Sequence, residues 1–209
     1  MAGITNKRLH MTIDPPQELN LSFESERLLF RPLNETDKTL SIELWTDPEI
    51  TKYVGGPVDE QTLISQHKIY MRRCARGAIG VWTFSTKQDG EKLGTAILLP
   101  MPTDKDDTDW DLLLCEGLPQ GEIEVGYILR KSAWGKGFAT EACSALINFG
   151  FENTNLSRIV ASTDDENQNS QNVLRKCGMQ YLGKKLSYNE ICPFFEITRA
   201  QWMNEKHAN

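Results

Sequence analysis

The sequence has little of what marks a secreted, metal-binding or nucleic-acid-binding protein. Its five cysteines, Cys74, Cys115, Cys143, Cys177 and Cys192, are scattered without paired spacing. Their odd number fits neither a disulfide framework nor a zinc site, so they read as reduced thiols. No apolar run approaches the roughly 18 residues of a membrane span. The opening MAGITNKRLHMTIDPPQELN also lacks the apolar core of a secretory signal, so the expectation is a cytoplasmic protein without a membrane partner. Positive charge is in short supply. A formal net charge of −6 and the lack of a basic stripe argue against a nucleic-acid partner, because phosphate neutralisation needs clustered Lys and Arg. An acidic chain suits a cationic partner better.

With 209 residues, of which 39% are hydrophobic and 25% charged, the chain can bury one sizeable core but not two. Residues 1–21 show no apolar periodicity and read as a flexible lead-in to a single domain over 22–209. LSFESERLLFRPL reads as a strand. NETDKTLSIELWTDP reads as a helix capped by Asn34 and closed by Pro48. A second helix is expected from Asp59 to Arg76, with Leu63, Ile64, His67, Tyr70, Met71 and Cys74 on one face and an acidic first turn that suits the helix dipole. GVWTFSTK and KLGTAILL form a hairpin around QDGE. The stretch PMPTDKDDTDWDLLLCEGLPQG is polar, Pro-containing and long for a connector. EIEVGYILR gives a strand, then a Gly-Lys-Gly turn and a helix to about residue 148. SRIVAST is a strand, NSQNVLRKC a helix ended by Gly178, and MQYLGKKL and PFFEITRAQW closing strands, with Trp202 packing the last of these onto the core. The expected class is α+β, a mixed and largely antiparallel sheet flanked by helices.

The chemistry gathers at RKSAWGKGFATEA. A helix N-terminus exposes unpaired amides and the positive end of the dipole, and glycines at positions 135 and 137 let a large anion approach the backbone. Lys136 adds a cation and Thr140 a hydroxyl in the first turn. By itself the pair also fits a strand-to-helix turn that binds nothing. Two phosphate motifs fail: position 140 is Thr where a dinucleotide fingerprint wants Gly, and no Walker A loop is present. The acidic run TDKDDTDWD does not make a calcium loop, since positions six and twelve counted from Asp104 are Asp109 and Cys115. No metal is expected.

Four stretches, SERLLFRPLNETD with DPEITKYVGG, EVGYILRKSAWGKGFATEA, DENQNSQNVLRKCGM and FEITRAQW, occur in an order and spacing that resembles the GCN5-related N-acetyltransferase superfamily. In particular they resemble its branch of ribosomal-protein N-terminal alanine acetyltransferases, over residues 23–203. The resemblance implies a central sheet with splayed strands and acetyl-CoA as co-substrate. It implies transfer of acetyl to a primary amine, on a protein N-terminus or a small molecule, by direct attack on the thioester. The family motif Gln/Arg-x-x-Gly-x-Gly/Ala falls on Gly135 and Gly137, with Ser132 in the place of the leading Gln/Arg. Arg130, Lys131 and Lys136 leave positive charge nearby, and Trp134, Phe138, Ala139 and Thr140 complete the implied pyrophosphate turn. Tyr127, Ile128 and Leu129 would line the pantetheine arm through main-chain atoms. Asn167 and Ser170 match the family's N-x-x-S, although their chemistry alone reads as helix capping.

The reaction requires a base for the amine proton and donors for the developing oxyanion. Glu124, just before Gly126 and Tyr127, is the candidate catalytic carboxylate, with substrate attraction or a structural salt bridge as alternatives. Glu122, on the same face of a regular strand, and Trp110 in the acidic connector are candidates for holding a cationic acceptor. The family's late tyrosine acid falls on Phe195, which donates no proton, while Tyr181 and Tyr188 lie off the motif position. Either another donor serves, or the thiolate, with a thiol pKa of about 8.5, leaves unaided. Catalysis through Cys143 or Cys177 is disfavoured by their core spacing, His67 reads as a helix residue, and His10 and His207 lie in tails. A non-catalytic acyl-CoA sensor, or a transferase of another acyl group, are the competing readings. Monomer and homodimer both remain compatible with the sequence.

Overall fold

A computed structural model describes residues 19–208, in which eight strands form one sheet of order β1-β2-β3-β4-β5-β6-β8-β7. The first expected strand is a small hairpin instead, β1 (Phe23–Glu24) against β2 (Leu28–Pro32), because Ser25 and Arg27 turn to meet Glu141. Asn34 caps a short 3-10 helix, Glu35–Asp37, which leads into α1 (Lys38–Thr46). The next helix, α2, is shorter than the sequence implies. It runs over Glu60–Tyr70, leaving Ile64 exposed and Cys74 beyond its end in an isolated bridge with Ile79. The strands β3 (Gly80–Thr86) and β4 (Lys92–Pro100) make the expected hairpin. A connector with a 3-10 helix at Trp110–Leu114 then leads to β5 (Ile123–Leu129).

After β5 come α3 (Phe138–Asn153), β6 (Arg158–Ser162) and α4 (Gln168–Lys176). The hairpin β7 (Gln180–Ser187) and β8 (Glu190–Thr198) and the helix α5 (Arg199–Ala208) complete the chain. The last strand therefore stops four residues before Trp202, which packs against Phe151 from α5, at 5.2 Å between ring centroids. The break follows from Arg199, whose guanidinium donates to the carbonyls of Phe151, Thr154 and Leu156 near the C-terminal end of α3. All strand pairings are antiparallel except β5 with β6.

The core lies between one sheet face and α3. Ala142, Cys143, Leu146, Phe149 and Gly150 follow helical spacing and meet Phe30, Trp82, Phe84, Leu98 and Ile159. On the other face Ile128 packs on Leu40 and Leu44 of α1. Between α1 and the sheet, Asp37 is fully buried and bridged by Arg31 at 2.6 Å and Lys92 at 2.8 Å. Leu19 and Leu21, ahead of the first strand, pack against the core. The rest of the expected lead-in, with His10, lies outside the described residues, as does the His207 side chain. Among the described residues no helix is long and apolar enough to cross a membrane.

Candidate functional site

The centre of the sheet opens where its one parallel pair fails to zip. β5 and β6 register at a single position, Glu124 opposite Val160, and no pairing joins them beyond it. The β4–β5 register, continued by the bond from the Arg130 amide to the Leu93 carbonyl, turns the main chain of residues 124, 126 and 128 toward β4. Alternation then points the amide and carbonyl of Tyr127 and the amide of Leu129 into the gap beside β6. Of the three residues expected to offer main-chain groups, Tyr127 and Leu129 therefore face the gap, whereas Ile128 is engaged with Thr95 of β4. The Leu129 carbonyl is closed by the Trp134 indole N–H at 3.0 Å.

At the C-terminal end of β5 the chain passes through Gly135 and Gly137, with φ of +71° and +82°, before α3 begins. Left-handed backbone at both positions is a conformation that a Cβ resists, which is why the sequence carries glycine here. Gly137 is the N-cap and offers no side-chain bond, and the first amide satisfied within α3 is that of Glu141, by the Gly137 carbonyl. The amides of Phe138, Ala139 and Thr140 receive no acceptor from the helix. A Cβ built on Gly135 would meet nothing within 4 Å, so the mouth of the turn is open.

The charge around this turn is not distributed as the sequence implies. Arg130 is held by Glu43 at 2.6 Å and Glu91 at 3.8 Å, and Lys131 by Asp47 at 2.9 Å and Glu49 at 3.0 Å. Both cations are drawn toward α1 and the turn after it. Lys136 is exposed and forms no salt bridge among the described residues. The structure adds Arg27, which sequence reading missed. Its guanidinium donates to the Lys136 carbonyl at 3.0 Å, lies 4.4 Å over the Phe138 ring and pairs with Glu141 at 2.7 Å. The sequence holds no local signal for this, because more than 100 residues separate Arg27 from its partners.

Across the gap, Asn167 caps α4 by accepting from the Ser170 amide at 3.1 Å. The Tyr127 hydroxyl lies 3.2 Å from the Ser170 hydroxyl. Burial raises the Tyr127 phenol well above its usual range. Phe195 is fully buried on the same side, 5.4 Å from Tyr181 and under the Arg175 guanidinium, as part of the core.

Glu124 is 4% exposed. Burial pushes its carboxyl up to about 7, the Tyr188 hydroxyl that donates to its Oε1 pulls the other way, and the charge of Asp107 adds to the rise. Tyr188, off the expected position for an acid, is thus the residue in contact with the candidate carboxylate. The signal in the sequence is SYNE between two strands, a two-residue hairpin turn that projects a side chain. Glu122 does not join the pair: its carboxylate is held by Arg158, which Glu196 also approaches at 3.1 Å. With Arg158, Leu156 and Thr198 it lines a cleft of about 470 Å3 at the end of β5 remote from the glycines. A carboxylate so neutralised is not an open attractor for a cation. Trp110 is half-buried against Tyr70, 5.1 Å between centroids, with its indole N–H 3.4 Å from Asp107. Cys143 and Cys177 are buried at the α3–α4 contact, where Cys177 takes a bond from the Ser144 hydroxyl at 3.2 Å.

Comparison with known proteins agrees with this geometry. The model of the acetyltransferase (GNAT) domain family matches residues 27–180. The "Uncharacterized N-acetyltransferase p20" of Bacillus licheniformis is 29% identical over 170 residues, covering 79% of this chain and 86% of that protein. The "FsC-acetyl coenzyme A-N(2)-transacetylase" of Aspergillus fumigatus is 24% identical over 192 residues, covering 87% and 78%. Among solved structures, the spermidine N-acetyltransferase of Vibrio cholerae, in complex with CoA and spermine, shares the fold with a TM-score of 0.65 at 16% identity, covering 86% of this chain and 100% of that one. With its family model matched over most of its length, its one parallel pair splayed and an open glycine turn at the head of α3, the chain belongs to the acetyltransferase (GNAT) domain family and is an acyl-CoA-dependent acetyltransferase.

Proposed function

We propose that the protein transfers the acetyl group of acetyl-CoA to a primary amine, with Glu124 as the base. The observation that carries the reading is the position of Glu124: a buried carboxylate at the last paired residue of the splay, poised at about 7. A base near neutrality is ionised often enough to accept a proton and basic enough to take it from an amine. The residues present fit the co-substrate. The uncapped turn at Gly135, Lys136 and Gly137 and the amides of Phe138, Ala139 and Thr140 form an anion cradle for a pyrophosphate. The main-chain groups of Tyr127 and Leu129 that face the gap are placed to pair with an amide-bearing arm, as a missing strand would. Ser170, whose hydroxyl lies 3.2 Å from that of Tyr127, and Asn167, which caps the same helix, are the candidates for its other side. Acetyl-CoA supplies the activated acyl thioester, and the protein excludes water around it and removes the proton from the amine.

The acceptor amine approaches from the face that carries Glu124 and the acidic connector. Asp106 and Asp107 take no salt bridge among the described residues, whereas Asp109 is paired with Lys105 and Asp111 with Arg72, both at 2.7 Å. A cationic small amine or a peptide N-terminus suits that balance better than an anionic acceptor. The chain is expected to act in the cytoplasm, where acetyl-CoA and such amines meet. Calorimetric titration with acetyl-CoA, followed by thiol release against a panel of polyamines, aminoglycosides and Ala-, Ser- and Met-starting peptides, tests the reading. Binding that falls at least about tenfold, some 1.4 kcal/mol, in Gly135→Val and Gly137→Val, with release on one acceptor class, is the expected outcome. Binding without release on any amine would make the protein an acyl-CoA sensor.

A further inference from the structure

Tyr188 sits where a hairpin seldom places a tyrosine. Ser187 and Glu190 close the β7–β8 hairpin, leaving Tyr188 and Asn189 as a two-residue turn with φ of +53° and +59°. Two left-handed residues are the type I′ pattern, which Gly, Asn and Asp form with least strain. Asn189 follows the rule and Tyr188 breaks it. Strained backbone of this kind persists where surrounding contacts hold it in place and it serves a site.

Those contacts converge on the candidate base. The phenol donates to Oε1 of Glu124. The amides of Tyr188 and Asn189 donate to the carbonyls of Pro102 and Thr103 at 3.1 and 3.0 Å, which fixes the hairpin tip to the start of the connector. Around Glu124 the adjoining strands contribute apolar neighbours, Leu99 from β4 and Val160 from β6. The charged and titratable groups that face it are Tyr188 from the hairpin and Asp107 from the connector. No other hydrogen bond reaches its carboxylate among the described residues.

Building on the reading of Glu124 as the base, we infer that Tyr188 is its positioning residue, holding Oε1 so that Oε2 is the atom that takes the amine proton. The amine nitrogen bonds to the thioester carbonyl carbon, its proton passes to Oε2, and the carbon–sulfur bond breaks with the electron pair leaving on sulfur. Tyr188 keeps its own proton throughout and turns the buried carboxylate to face the acceptor. A hydrogen bond to the ionised form favours that form, so the same contact moderates the rise that burial imposes on Glu124.

The test needs no acceptor. In protein carrying carboxyl-13C glutamate, the Glu124 signal is assigned by its loss in Glu124→Gln and titrated in wild type, Tyr188→Phe and Tyr188→Asn. Phe removes only the hydroxyl; Asn removes it while easing the turn, so a folding defect in one leaves the other to report. The expected result is a midpoint about one pH unit higher in both variants than in wild type. With whichever panel amine wild type acetylates, the acid limb of kcat/KM moves upward in step. An unmoved midpoint in both variants, with Glu124→Gln inactive, would overturn the role of Tyr188 and leave the base intact. Full activity in Glu124→Gln would overturn the base and this inference with it.

Discussion

At Glu124 burial and a hydrogen bond pull in opposite directions, and burial wins. Its carboxyl titrates near 7, above the ordinary value of about 4.3 for glutamate. The folded protein therefore holds this proton more tightly than the unfolded chain. The resulting stabilisation is full below the unfolded value and is lost as pH rises through about 7, where the native state carries a buried charge. Glu124→Gln removes the charge while keeping the shape. In urea denaturation its stability relative to wild type is expected to grow by on the order of 3 kcal/mol between about pH 5 and about pH 8. A pH-independent difference would show that Glu124 is not perturbed. Asp37 is the contrasting case. Burial pushes its carboxyl up as well, but Arg31 and Lys92 bond to it directly and hold it well below the carboxylate range. Both residues are buried acids in one chain, and the sequence does not tell them apart. What differs is whether a cation stands within bonding distance, and that cation comes from β2 or β4.

At the scale of elements, the α4 N-terminus ties a helix cap to the strand β5. Asn167 caps the helix through the Ser170 amide, and Ser170 meets the Tyr127 hydroxyl across the gap. Asn167→Ala is expected to cost about 1 kcal/mol of stability, as loss of a cap does, read as a fall in Tm. Asn167→Asp keeps a capping oxygen and adds a negative charge. If Asn167 also faces the co-substrate, Asp restores Tm but not acetyl-CoA affinity; if it only caps, both recover. Helix α3 and the β3–β4 hairpin were legible because their spacing is local: apolar residues three and four apart, and a turn between two alternating runs. The end of α2 was not. Met71 and Cys74 keep an apolar rhythm past Tyr70, the last helical residue, yet Cys74 pairs as a bridge with Ile79. The C-terminal boundary failed for a similar reason, since Arg199 breaks β8 by reaching residues more than 40 positions away.

Across the whole molecule the acidic balance has a direction. Asp109 and Asp111 are spent on Lys105 and Arg72, while Asp107 acts on Glu124, Tyr70 and Tyr188 from one side. Neutralising Asp106 and Asp107 together is expected to raise the KM for a cationic amine several-fold, with kcat little changed when read above about pH 8, where Glu124 is ionised in both proteins. The wild-type KM should rise with added salt, because exposed charges are screened over about 8 Å at physiological ionic strength. Steady-state kinetics at two salt concentrations check both. Identical KM values in variant and wild type would remove the connector from acceptor recognition. The same charge reaches the sheet, since Asp107 adds to the rise of the Glu124 carboxyl.

The sequence by itself determined the α+β class, the order of helices and strands from β2 to β8, the glycine turn at the head of α3 and the residue later found at the splay, Glu124. Each is written in a short window, as a period, a turn residue or a motif. Tertiary structure alone decided which charges are free and which are spent. Arg130, Lys131 and Glu122 look available in the sequence and are each held by a distant partner. Tyr188 looks remote and is brought onto Glu124 across 64 positions by the fold of one hairpin. A charge or a hydroxyl acts over a few ångströms, and only the packing of the sheet sets which residues fall within that reach.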